Sequence, residues 1–237
     1  MIALILKAEQ RRIVSDAFLL LILLLTPLIA ILVKIYWPVL DATFPHWHLE
    51  RFTTVTSIFI ALLTPMMLGL VLGFNLLTDR EQGMLTVVRT TPAGLPQYLL
   101  IRSSGYLLLS LILTPVLHEL LGFVDLAWWQ LAAITIAALV LLPFSALLLL
   151  SFAHNLVEGF AIMKGTGFLI SVPVILALFV PAPWYWLAAP LPTWWTLWGY
   201  IELANQNLMG LVWLALGMVM QIGLSAWLWR RLMRATN

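Results

Sequence analysis

Six stretches of about twenty apolar residues, near 17–37, 54–77, 103–122, 129–153, 166–186 and 207–228, decide what this chain can become. Those at 54–77, 129–153, 166–186 and 207–228 contain no Asp, Glu, Lys or Arg. A segment of that length and polarity satisfies its backbone within a helix and leaves its side chains to lipid. Only 9% of the 237 residues are charged, where a soluble domain averages about 25%. Water is therefore not the solvent for most of this surface. The spans and their loops use up the length, so the reading is an all-α polytopic membrane protein, a single transmembrane domain over 1–237 with no separate soluble catalytic domain. The first stretch is too long for a signal sequence and lacks a small-x-small cleavage site before Lys34, which reads as a retained helix.

Basic residues orient the spans, because Lys and Arg beside a span stay on the cytoplasmic side. With the N terminus inside, Lys7, Arg11, Arg12, Arg80, Arg89, Arg102, Lys164, Arg230, Arg231 and Arg234 fall inside, and only Lys34 and Arg51 fall outside. An odd number of spans would spoil that partition, so both termini are expected in the cytoplasm. The formal charge of +2 includes no basic run of the kind nucleic-acid binders carry, so no nucleic-acid partner is expected. Absence of cysteine excludes disulfides, thiolate metal sites and thiol catalysis.

Irregular segments lie between the spans. Trp37 begins a polar loop that Pro45 and its charges keep from continuing the helix. The second span tolerates Pro65, Gly69 and Gly73, because neighbouring helices re-satisfy a disturbed backbone. Trp128 and Trp129 mark a tight outer turn between the third and fourth spans. Over 181–204, Pro181, Pro183, Pro190 and Pro192 forbid one continuous helix, while Trp184, Trp186, Trp194, Trp195 and Trp198 favour the headgroup level. This predicts an outer re-entrant segment before the last helix, with a Pro-rich loop dipping into lipid as the alternative. Residues 1–16 mix apolar side chains with Lys7, Arg11 and Arg12, which suits either an interfacial helix or an extension of the first span.

The most informative polar segment is 78–101. Asp79, Arg80 and Glu81 cluster where the second helix leaves lipid, and Leu77, Met84, Leu85 and Val88 fall at helical spacing. Thr91 and Pro92 stop the helix, and Gly94 and Pro96 turn the chain back. A short amphipathic helix so joined to a span suits mechanical coupling, and a charged loop that only fixes topology is the plainer reading.

The string DREQGMLTVVRTTP, continuing to QYLLIR, resembles the cytoplasmic segment of ATP-binding-cassette type-2 permeases, in which an acidic-basic-acidic triplet, a polar residue, Gly, an apolar run and Thr-Pro recur. The resemblance extends to the amphipathic start, the six spans, a second inner loop and the Pro/Trp-rich stretch before the last span. It implies that Asp79, Arg80, Glu81, Gly83, Leu85, Arg89, Thr91 and Pro92 belong to a coupling helix or its base, docking on a nucleotide-binding ATPase subunit. Arg89 departs from the pattern, since many relatives have an apolar or small residue there. The second inner loop, 151–165, would add Asn155 and Glu158 to that docking surface; the plainer alternative is a loop in which Lys164 fixes orientation.

His118 and Glu119, near the outer end of the third span, are candidates for a path or outer gate, because ionisable groups in spans default to function. The string HELLG lacks the second His that a zinc-protease helix needs, since position 122 is Gly. His46, His48 and Glu50 alternate in the first outer loop, a pattern more often solvated than metal-bound. No phosphate-binding G-x-x-x-x-G-K-[ST] is present, so ATP and Mg are expected on the partner ATPase and no cofactor on this chain.

The resemblance thus implies a permease subunit of an ATP-driven exporter in a bacterial inner membrane, paired with a second permease, identical or homologous, within membrane lipid. It would move a lipid-like, peptide or drug-like substrate, and Gly69 and Gly73 are candidate close-contact points between the paired permeases. A stand-alone secondary transporter or channel is the alternative, followed by an intramembrane enzyme. The charges lie at span ends rather than the bilayer midplane, and no polar groups converge on a reaction centre.

Overall fold

The computed structural model describes residues 17–90, 94–181 and 183–234, without the side chains of Phe18 and Arg89. Its helices are α1 (Ala17–Thr43), α2 (Glu50–Glu81), α3 (Met84–Arg89), α4 (Gly94–Leu121), α5 (Trp128–Leu139), α6 (Leu141–Phe152), α7 (Leu156–Phe179), α8 (Pro192–Ala204) and α9 (Met209–Arg234). Short 3-10 turns stand at Pro45–Trp47 and Trp184–Ala188, and no strand occurs among the described residues. Six helical segments are long and apolar enough to cross a membrane, with α5 and α6 together forming the fourth. The candidate interfacial helix over 1–16 lies outside the described residues.

The helices run longer than apolar composition alone predicts. The 32 residues of α2 reach about 48 Å at 1.5 Å per residue, beyond a hydrocarbon core of about 30 Å. Its two ends therefore carry polar residues on the same rod that is buried at its middle. The fourth span is interrupted at Val140, and Pro143 has no N–H to offer the Leu139 carbonyl one turn back.

Burial divides the helices into an inner and an outer set. Most of α2 is buried, as is most of the α5–α6 pair, whereas α1, α4, α7 and α9 present largely exposed apolar faces. The centre of the molecule is the contact of α2 with α6. A Cβ on Gly69 would lie 2.3 Å from the Leu142 carbonyl oxygen, and one on Gly73 would press on Leu149 and Ala146. These glycines bring two helices of one chain together, which corrects the expectation that they serve contact between paired permeases.

The last three helical segments form a hairpin at one end of the bundle. Thr193, at the start of α8, donates to the Leu169 carbonyl near the middle of α7. Three residues on, Thr196 accepts from Gln221 Nε2 at 3.1 Å, near the middle of α9. The other end of α8 meets the beginning of α9, where Gly199 and Gly210 let the two backbones touch. Thus the chain leaves α7, dips to mid-height through the 3-10 turn, and climbs back along α8. The 13 residues of α8 amount to about 20 Å, too short to span. Trp194, Leu197, Tyr200 and Leu203 are fully buried along it.

The inner loop placed at 151–165 is much shorter in the structure. α7 begins at Leu156, and Asn155 caps it by accepting from the Glu158 amide at 2.9 Å. The Glu158 carboxylate accepts in return from Asn155 Nδ2 at 3.0 Å and from the His154 amide at 2.7 Å. Those bonds satisfy the open donors of a helix start, so the polar residues cap a long helix instead of forming a loop. Lys164 sits on the exposed side of α7. At the same end, Leu19 and Leu232 share one apolar cluster with Leu77, Leu95, Leu149 and Ala153, so both ends of the described chain meet there.

Candidate functional site

The end of α2 faces the start of α4 through two rungs of polar contact. Asn75 and Asp79 are four residues apart on α2, and Tyr98, Arg102 and Tyr106 repeat every four on α4, so each set lies along one helix face. Asn75 Nδ2 donates to Tyr106 Oη at 2.8 Å. One turn nearer the helix end, Asp79 Oδ2 accepts from Arg102 Nη2 at 2.6 Å and from Tyr98 Oη at 2.7 Å. Both members of this ion pair are buried. The Arg102 guanidinium also lies 5.5 Å from the centre of the Tyr98 ring.

Arg80 and Glu81 reach the other way. Arg80 Nη1 donates to the Ala153 carbonyl at 2.8 Å, and Glu81 Oε1 accepts from the Leu156 amide at 2.8 Å. The first caps the exit of α6 and the second the entry of α7. Consecutive residues of one helix end therefore bind three other helices: Asp79 holds α4, and Arg80 and Glu81 hold the α6–α7 turn. The acidic-basic-acidic triplet is spent within the chain.

Beyond it the backbone turns sharply. Gly83 has φ +72° and stands between α2 and α3, a conformation that suits glycine. α3 then lies along the end of the bundle with Leu85 turned inward at 6% exposure, while Met84 (48%) and Val87 (65%) face outward. The outward apolar pair is therefore Met84 and Val87; of the expected stripe through Leu77, Met84, Leu85 and Val88, Leu77 and Leu85 join the core, Val88 is half-buried and Met84 faces outward. Thr91 and Pro92 lie outside the described residues. Asn155 and Glu158 stand at the start of α7, which the Glu81 contact to the Leu156 amide ties to the end of α2.

At the opposite end, His118 is 2% exposed and its Nε2 lies 2.8 Å from Tyr200 Oη, joining α4 to α8. Glu119 is adjacent but points outward, its nearer oxygen 3.7 Å from His118 Nδ1. One member of the pair is packed and the other is at the surface. Tyr200 was not anticipated; the i, i+3 spacing of Trp194, Leu197, Tyr200 and Leu203 along α8 carries the signal.

The Trp-rich hairpin is tied by its rings. Tyr185 stacks on Trp198 with centroids 4.9 Å apart, Trp195 stacks on Trp213 at 5.6 Å, and Trp186 touches Trp194, Trp195, Trp198 and Trp213. Such contacts hold a short helix and a 3-10 turn against α9 more firmly than area alone. Among the described residues no three His, Cys, Asp or Glu side chains converge as metal ligands would.

A family model described as "Rv2686c-like: Fluoroquinolones export permease protein Rv2686c-like" matches residues 9–229. None of the curated proteins and none of the solved structures matches the chain. The family match takes in five of the six membrane-crossing segments whole and all but the end of α9. A multi-pass membrane protein with an all-helical core and a stapled helix end, the chain belongs to the Rv2686c-like family of export permeases.

Proposed function

We propose that this chain is the membrane-spanning permease of an ATP-driven exporter of drug-like molecules, working with a separate ATPase subunit and a second permease. The observation that carries this reading is the fastening of the end of α2. A push on α3 meets Gly83 and then a helix end bound to α4 by Asp79 and to α6 and α7 by Arg80 and Glu81. Force applied there reaches four helices together, and α2 runs on through the centre of the bundle. The family description supplies export as the activity.

In this reading the end bearing α3 is cytoplasmic, in keeping with the basic residues gathered on that side, and the membrane is the inner membrane of a bacterial cell. Met84 and Val87 are the apolar contacts offered to the ATPase, with Asn155, Glu158 and the base of α3 alongside. ATP and Mg bind that partner. The largely exposed faces of α1, α4, α7 and α9 leave apolar surface for lipid and for the second permease.

Purification from native membranes tests this. A nucleotide-binding subunit should come with the chain, and its ATP hydrolysis should fall when Met84 and Val87 are both changed to Asp. Efflux that survives ATP depletion and collapses with the proton gradient would replace this reading with that of a stand-alone secondary transporter.

A further inference from the structure

Where α1, the turn at Pro45–Trp47, the start of α2 and the end of α7 meet, a cleft of about 480 Å³ opens at the end of the bundle away from α3. That is room enough for a small polar group, since ligand sites fall at about 300–1,000 Å³. The apolar run of α1 ends at Trp37 and that of α2 begins only after Arg51, and both residues line the cleft. It therefore lies where hydrocarbon gives way to headgroups, the level that Trp rings prefer. Phe52 and Phe179, with centroids 6.2 Å apart, give it an apolar wall.

What the cleft offers is donors. The Arg51 side chain is exposed, lies 4.8 Å from the centre of the Phe52 ring, and makes no hydrogen bond or ion pair among the described residues. Trp37 and Trp47 contribute indole N–H groups that likewise meet no acceptor among the described residues. Although Asp41 and Glu50 are close in sequence, no carboxylate lines the cleft or the adjoining cavity of about 370 Å³ that Arg51 also borders. The other Lys or Arg of this side is already committed: Lys34 Nζ donates to the Leu121 carbonyl at 2.6 Å and so caps the end of α4.

A fixed positive charge without a counter-ion, set among N–H donors at headgroup level, is matched by an anion that only accepts. A phosphodiester is such a group, and its two charged oxygens fit the guanidinium fork. We propose that this cleft holds the phosphate of an anionic phospholipid on Arg51, a lipid of the leaflet on this side that resides on the protein and is not its cargo. Its acyl chains would run on along α1 and α7, whose apolar faces are largely exposed. A zwitterionic lipid would set its ammonium group beside Arg51 with no carboxylate to receive it. This binding does not depend on the exporter reading.

The test is native mass spectrometry of the full chain, with whatever partner it carries, titrated in detergent with phosphatidylglycerol or with phosphatidylcholine of identical chains. Wild type should bind the first phosphatidylglycerol about fivefold more tightly than the first phosphatidylcholine, the factor expected of one basic side chain at a membrane surface. Arg51→Gln should remove that preference, whereas Arg234→Gln, which takes an exposed charge from the far end of α9, should leave it. Thr56→Trp keeps Arg51 but fills the cleft, and should lower phosphatidylglycerol affinity toward that of phosphatidylcholine. Equal affinity of the wild type for the two lipids, a comparison that needs no variant, overturns the proposal. So does a preference that survives Arg51→Gln or is lost in Arg234→Gln instead. Displacement of the bound lipid by inorganic phosphate, with the same dependence on Arg51, would make this a site for soluble anions and overturn the lipid assignment. Because neither ATP nor efflux enters the assay, failure here leaves the exporter reading standing, and failure of ATPase coupling leaves this binding result standing.

Discussion

Arg102 donates to Asp79 across 2.6 Å, in a setting where both side chains are withdrawn from solvent and a tyrosine hydroxyl completes the carboxylate's shell. Two charges so placed gain little over an apolar pair of equal volume, yet each is costly once its partner is gone. Asp79→Ala or Arg102→Ala alone should therefore destabilise the detergent-solubilised protein by about 3–5 kcal/mol. Asp79→Leu combined with Arg102→Met should recover most of that loss. Thermal unfolding of the two single variants and the double one reads the coupling; additive losses would show that the charges do not depend on each other.

Close packing of α2 against α6 predicts a contrast between two glycines. A methyl group at Gly69 would overlap Ser145 and the Leu142 backbone, and backbone cannot swing aside. Gly69→Ala should cost about 1–3 kcal/mol or prevent folding outright. At Gly165, on the outer side of α7, nothing lies within 4 Å, and Gly165→Ala should stay within about 0.5 kcal/mol of the parent. Yield of monodisperse protein after extraction, followed by melting, separates the two. An equal response at both sites would contradict the α2–α6 contact.

The hydroxyl of Tyr200 predicts a smaller, local effect. It is fully buried and meets His118 at 2.8 Å. Tyr200→Phe keeps the ring but leaves the imidazole without that partner, a loss of about 1–3 kcal/mol. His118→Leu with Tyr200→Phe should be milder than Tyr200→Phe alone, because no imidazole is then left without its partner. Glu119→Gln, at 69% side-chain exposure, should leave melting unchanged, which distinguishes a packed histidine from a coupled His–Glu pair.

How much of this was legible before the structure varies with the kind of signal. The six spans were plain because length and polarity alone decide them, and the broken Trp-rich segment was plain because Pro181, Pro183, Pro190 and Pro192 fall too close together for one continuous helix. The start of α7 was misread: Glu158 and Lys164 look like loop residues, although Asn155 followed three positions later by Glu158 is a helix-start pattern. The role of Asp79 was half visible. Its place at a helix end was apparent, but its partner is 23 residues away on another helix, and only the matched four-residue spacing of Asn75–Asp79 and Tyr98–Arg102–Tyr106 points to it. Gly69 and Gly73 marked a close approach without saying to what, since small residues permit contact within a chain or between chains alike.

The orientation of α3 gives the sharpest test of the coupling reading. The chain has no cysteine, so a single introduced thiol reports without background. Leu85 was the natural first choice from its place in the apolar run, yet it is turned into the core, while Val87 stands 65% exposed. Thiol reactivity follows access, so Val87→Cys should react promptly with a water-soluble maleimide and Leu85→Cys should react only on unfolding. Addition of the co-purified ATPase should then slow labelling at position 87 and leave position 85 as it was. Rapid labelling at 87 in both the free and the assembled protein would mean that this helix is not the contact, and that force must enter the bundle elsewhere.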